Sequence, residues 1–173
     1  MTEPETSLDK AIQEITIKTG KYLTFSLAKE SYGIGILKVK EIIGMMPITA
    51  VPRTPDFVKG VINLRGKVIP IIDLRLKFSM DSIEYSERTC IIVVEIDSES
   101  GTVLIGIVVD AVSEVMNIGE EDIEPPPAFG THLDTDYITG MAKTEDDVKI
   151  LLNIDKVLSS IEISNLKSAS ESI

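Results

Sequence analysis

Cysteine and histidine each occur once in these 173 residues, tryptophan is absent, and the cations are outnumbered, with 17 Lys and Arg against 28 Asp and Glu. One cysteine, Cys90, cannot form an internal disulfide, which agrees with a reducing compartment. A zinc cluster needs more Cys and His than the chain has, and the acidic turns DTD (134–136) and EDD (145–147) lack the oxygen spacing of a calcium loop. No phosphate-cradling G-x-x-x-x-G-K-[ST] occurs, and Gly60 and Gly66 make no dinucleotide fingerprint, so no cofactor is expected. A formal charge of -11 repels nucleic-acid backbones and anionic lipid surfaces. No run approaches the ~18 apolar residues of a membrane helix, and the acidic start MTEPETSLDKAIQ does not read as a secretory signal. The reading is therefore a cytoplasmic chain with no nucleic-acid partner and no direct membrane insertion.

What is abundant is aliphatic. KYLTFSL alternates apolar and polar residues, the period of a half-buried strand. The pair GVINLR and KVIPIIDL reads as a hairpin, the pair RTCIIVVEI and TVLIGIVVD as a second one, and VSEVMNI as a further strand. In ILKVKEII, Ile36, Val39 and Ile43 stand three and four apart, which predicts a short helix showing Lys38, Lys40 and Glu41 to solvent and ending at Gly44. GEEDIEPPP is expected to be an exposed connector, ETSLDKAIQEI a helical turn or a mobile stretch, and IDKVLSSIEISNLKS a C-terminal helix. Short strands at close spacing, without intervening helices, favour small barrels or a sandwich.

Shifting the chain by eighty residues lays FVKGVINLRGKVIPIIDL (57–74) on YITGMAKTEDDVKILLNI (137–154) without a gap. Phe57 meets Tyr137, Gly60 meets Gly140, and Ile71 to Asp73 meets Leu151 to Asn153. Two similar hairpins could arise independently, or the chain could carry a duplicated unit. The tips differ: NLRGK is cationic and KTEDD is anionic. Hairpin tips carry little of a core and are free to vary, which makes Arg65 a candidate for recognition.

Candidate chemistry is sparse. Asp73 and Asp110 each end an apolar run and could form a carboxylate pair for a small hydrolase; Cys90 with His132 is the other catalytic alternative. An Asp at a strand end also caps the turn that follows, and a lone Cys in an apolar strand is a buried packing residue. An interaction module is the leading class. A nucleic-acid-binding barrel would rest on fold analogy alone.

Four segments, YGIGILKVKEI, VPRTPDFVKGVINLRGKVIPIIDLRLKF, GIVVDAVSEV and YITGMAKTEDDVKILLNIDKVL, resemble in order those of the CheW family of chemotaxis coupling proteins, from about Lys21 to Leu158. The resemblance implies an all-β fold with a few short helices: two small five-stranded β-barrels of SH3-like or OB-like type, a hydrophobic seam between them, and a C-terminal helix. The expected division is an N-terminal extension at 1–20, a first barrel at 21–80, a second at 81–158 and a tail at 159–173, with chain segments exchanged between barrels. It also implies an adaptor without catalytic activity, no cofactor, and recruitment to membrane-associated chemoreceptor arrays. The implied partners are the cytoplasmic tips of methyl-accepting chemoreceptors and the regulatory domain of the histidine kinase CheA. Carried over by motif, the partner-binding positions are Val39, Glu41, Lys59, Asn63, Arg65 and Gly66. Glu41 could meet a cation of the partner or buttress Arg65 from within.

Overall fold

In the computed structural model the described residues are 20–98, 101–126, 137–159 and 162. Among them, eleven strands run in chain order as β1 (Lys21–Leu27), β2 (Glu30–Gly35), β3 (Val39–Gly44), β4 (Val58–Leu64), β5 (Lys67–Asp73), β6 (Cys90–Ser98), β7 (Gly101–Val109), β8 (Ala111–Asn117), β9 (Ile123–Glu124), β10 (Ile138–Lys143) and β11 (Val148–Leu152). A single helical turn, α1 (Leu74–Lys77), follows β5, and short 3-10 helices occupy Ile36–Lys38, Glu120–Asp122 and Ile154–Lys156.

The strands form two sheets, a six-stranded one ordered β8-β1-β2-β11-β10-β9 and a five-stranded one ordered β3-β6-β7-β5-β4. All neighbours pair antiparallel except β2 with β11 and β5 with β7. Closure differs from the expected barrels: no strand-long ladder joins β3 to β4 or β8 to β10 among the described residues. Instead, the chain leaving each edge strand returns to the far edge. After β3, Thr49 exchanges two backbone hydrogen bonds with Val61 of β4, at 2.8 and 2.9 Å. After β8, Ile123 and Glu124 pair with Ala142 and Met141 of β10.

The eighty-residue echo is a repeated structure. Val58 faces Ile72 and Gly60 faces Ile71 across a bulge; Ile138 faces Leu152 and Gly140 faces Leu151 across a bulge at the equivalent place. Beyond each hairpin, the N–H of Asp73 donates to Phe57 O and that of Asn153 to Tyr137 O, both at 2.7 Å. The side chain of Asp73 then accepts from Arg75 N, and that of Asn153 from Asp155 N. Two residues that differ in charge do one job because each offers a carbonyl-type oxygen to a free N–H of the turn.

Each sheet draws strands from both sides of residue 80. Strands β1 and β2 lie in the six-stranded sheet with β8, β10 and β11, while β6 and β7 lie in the five-stranded sheet with β3, β4 and β5. Alternation along the strands explains the long apolar runs. Ile71, Ile91, Val93 and Val108 fill the interior of the five-stranded sheet, while Ile72, Ile92, Val94, Ile107 and Val109 enter a larger cluster with Leu23, Phe25, Leu27 and Ile34 of the other sheet. Leu151 and Leu152 divide in the same way as Ile71 and Ile72. Strands buried on both faces read as continuous apolar stretches, and the shared cluster is the seam between the sheets.

Local expectations fared unevenly. The helix expected over ILKVKEII is a 3-10 turn at Ile36–Lys38 followed by strand β3. Val39, Glu41 and Ile43 are half-buried, alternating with exposed Lys40, Ile42 and Gly44. Pairing with β6 and the β-branched residues override a three-and-four spacing carried by few positions. Lys38 is not solvent-facing either, since its side chain is 18% exposed and ion-paired. The GEEDIEPPP connector holds a 3-10 turn and β9. Of the expected C-terminal helix, residues 154–156 are a 3-10 turn and Val157 and Leu158 are buried; apart from Ser159 and Glu162, the rest lies outside the described residues. The N-terminal extension up to residue 19 and His132 lie outside them as well.

Candidate partner-binding site

Hairpin β4–β5 turns in two residues. Arg65 and Gly66 have φ of 52° and 88°, the paired left-handed conformations of a type I′ turn. Asn63 Oδ1 accepts from Gly66 N at 2.8 Å and holds that geometry. Glycine suits the second position; Arg65 adopts the first at a steric cost. The turn points its guanidinium toward β3, where Nη1 donates to Glu41 Oε2 at 3.0 Å and Nη2 donates to Glu41 Oε1.

This ion pair joins opposite edges of the five-stranded sheet, because Glu41 lies on β3 while Arg65 sits between β5 and β4. Arg65 remains 69% exposed and Glu41 32% exposed, so the fork is displayed while it is held. The hydrogen bonds from Arg65 lower the Glu41 carboxyl below its ordinary value, and Glu41 raises Arg65. Within this chain, Glu41 supports Arg65 from inside.

The other predicted positions cluster less tightly. Val39 begins β3 and packs partly against the seam. Lys59 on β4 holds its ammonium 5.8 Å from the centre of the Tyr85 ring. Sequence reading did not single out Tyr85, or Ile42, which is 43% exposed on the edge strand β3 beside Glu41. An exposed Ile in an alternating strand is the signal that could have marked it, had the segment been read as a strand.

The carboxylates considered for catalysis are committed elsewhere. Asp73, 3% exposed, accepts from Arg75 N at 3.0 Å, Leu76 N at 3.4 Å and Tyr85 Oη at 2.8 Å. Burial first, and the bond to Asp73 second, push the Tyr85 hydroxyl well above its ordinary value. Asp110 accepts from Arg75 Nε at 2.8 Å, Arg75 Nη2 at 2.7 Å and Ala28 N at 2.9 Å. Burial alone would raise its carboxyl, but these donors outweigh burial and hold it below the usual aspartate range. Cys90 is half-buried rather than fully buried, and its Sγ lies 3.2 Å from Arg88 O. Among the described residues, no cluster of three His, Cys, Asp or Glu is placed to hold a metal ion, and no helix is long and apolar enough to cross a membrane.

Comparison with known proteins bears on the same segments. A family model described as a CheW-like domain matches residues 21–162. The chain is 44% identical over 152 residues to the chemotaxis protein CheW of Klebsiella aerogenes, covering 88% of this chain and 89% of that protein. It is 35% identical over 150 residues to CheW of Treponema pallidum, covering 83% and 85% respectively. The crystal structure of the scaffolding protein TtCheW from Thermoanaerobacter tengcongensis superposes with a TM-score of 0.72 at 41% identity, covering 82% of this chain and 95% of that one. Since the family match spans every strand of both sheets and identity to a relative reaches 44% over most of the chain, this protein belongs to the CheW family of chemotaxis proteins.

Proposed function

We propose that the chain is a chemotaxis adaptor that couples the cytoplasmic tips of methyl-accepting chemoreceptors to the histidine kinase CheA, placing kinase activity under receptor control. The observation that carries this reading is a displayed, internally braced Arg65 fork within a chain of the CheW family. With its Nη1 and Nη2 edge on Glu41, the guanidinium keeps its other N–H groups for a partner's carboxylate or helix-end carbonyls, and the bond to Glu41 fixes it before a partner arrives, which lowers the ordering cost of binding.

The same reading places the contact surface on Val39, Glu41, Lys59, Asn63, Arg65 and Gly66, with exposed Ile42 supplying apolar area beside them. A receptor helix lying across β3 and the β4–β5 tip would bury Ile42 and have its register set by Arg65. The adaptor works without catalysis or cofactor, in the cytoplasm, recruited to membrane-associated receptor arrays through its partners. Co-sedimentation with receptor-bearing membranes, with and without the kinase, tests it. Sedimentation of the protein with receptor membranes, and increased retention of kinase in its presence, is the expected result; no association with either partner overturns the reading.

A further inference from the structure

The two halves of the chain follow one strand plan, yet each gives its first two strands to one sheet and its later strands to the other. Two cations, Lys38 and Arg75, form ion pairs at these crossings. Lys38, in the connection from β2 to β3, holds Asp155 at 3.0 Å and Asp97 at 3.3 Å. Arg75, in the turn after β5, holds Asp110, in the connection from β7 to β8, at 2.7 Å. Arg75 and Asp155 are equivalent under the eighty-residue shift, each two residues past the capping residue, Asp73 or Asn153. Lys38 and Asp110 occupy the same connection in their respective halves.

At both equivalent places the sign of the charge is inverted. Both carboxylates also accept a backbone N–H from the other sheet's hairpin, Asp155 from Asp97 N at 3.0 Å and Asp110 from Ala28 N at 2.9 Å. These pairs are well shielded, with side-chain exposures of 18% and 16% for Lys38 and Asp155 and 14% and 21% for Arg75 and Asp110. Charges this shielded interact more strongly than surface pairs.

The shared plan creates an ambiguity that the charges resolve. Strand β2 runs parallel to β11, and β7 runs parallel to β5, in matching registers: Gly33 faces Leu151 as Gly106 faces Ile71. The repeat would equally allow β2 to run beside β5 and β7 beside β11, within one chain or between two copies. That arrangement would place Lys38 against Arg75 and Asp110 against Asp155, two like-charge contacts in place of two ion pairs. We propose that this charge inversion selects the exchanged pairing, with Lys38, Arg75, Asp110 and Asp155 specifying which strands receive each leading hairpin. The device acts against a competing arrangement as well as for the native one.

Full-length variants test it by refolding from urea, followed by size-exclusion chromatography with light scattering and amide hydrogen exchange on β2 and β11. Reversing one pair, as Lys38→Asp with Asp155→Lys or as Arg75→Asp with Asp110→Lys, keeps opposite charges at positions 38 and 155 and at 75 and 110, with the contact of residue 38 to Asp97 lost in the first, and makes the unexchanged arrangement equally satisfied. Reversing both pairs together restores the discrimination. The parent and the fourfold variant should each recover a single species, whereas each double variant should place at least about a tenth of the protein in a second species, as expected when two near-degenerate pairings compete. Failure of the double variants to fold while the fourfold variant folds supports the same conclusion. Recovery of a single species with the parent's exchange pattern by either double variant overturns it, and so does equal loss of folding in all three.

Discussion

Arg65 donates through both terminal nitrogens to the carboxylate of Glu41, across the two edges of one sheet. The pair is exposed, so its worth to stability is small, while its worth to recognition lies in holding a charged fork in one orientation. Arg65→Glu is therefore expected to leave the melting temperature nearly unchanged and to weaken binding of a receptor hairpin fragment, the kinase regulatory domain, or both, at least tenfold. Exchanging the two residues, Glu41→Arg with Arg65→Glu, remakes the pair with reversed polarity and should not recover binding. Binding by Arg65→Glu equal to that of the parent for both partners would remove Arg65 from the contact surface.

Asp110 governs part of the acid stability. Its carboxyl lies below the ordinary aspartate value of 3.8 in the fold. The stabilisation is thus complete above the unfolded value and is lost as pH falls through the lower folded value. Asp110→Asn should cost about 2 kcal/mol near neutral pH, through loss of charged hydrogen bonds. It should also flatten the fall in stability below about pH 4. Urea titrations across that range measure both effects, and an unchanged acid slope would contradict the assignment.

Gly60 and Gly44 give opposite expectations for the same substitution. At Gly60, φ is +141° and an added Cβ would lie 2.0 Å from Thr49 O, at the bridge that returns the chain to β4. Gly60→Ala should cost at least about 2 kcal/mol, since a strained backbone and a backbone clash act together. At Gly44 nothing lies within 4 Å, and Gly44→Ala should be neutral or slightly stabilising. Chemical denaturation of the two variants compares them directly.

The turn joining β1 to β2 carries avoidable strain. Ala28 and Lys29 both have positive φ, 50° and 71°, where a glycine meets no Cβ penalty. Lys29→Gly should stabilise by about 0.5 to 1 kcal/mol, raising the melting temperature by ~1 to 4 °C for a chain of this size. Calorimetry reads the shift; a lowered melting temperature would mean that Lys29 makes contributions that outweigh its backbone cost.

Local pattern carried most of the elements and the repeat. The alternation in KYLTFSL, the paired apolar runs around Arg65 and Gly66, and the eighty-residue echo all map onto observed strands because hairpin pairing is short-range and leaves its period in the chain. ILKVKEII was misread because a few apolar residues fit a helix and a strand equally well, and only the partner strand β6 decides between them. The candidate site was legible to the same degree. Arg65, Gly66 and Asn63 stood out in one turn, whereas Ile42 and Tyr85 did not.

Strand content, the hairpin turns, the acidic charge and the duplication are all readable from the chain, since each depends on residues close in sequence or on composition. Tertiary structure alone decided which hairpin joins which sheet, that Glu41 braces Arg65, and that Asp73 and Asp110 are occupied by Tyr85, Arg75 and Ala28. Those contacts bridge separations of 12 to 82 residues. No local pattern encodes them, because they form only when groups from distant segments of the chain meet.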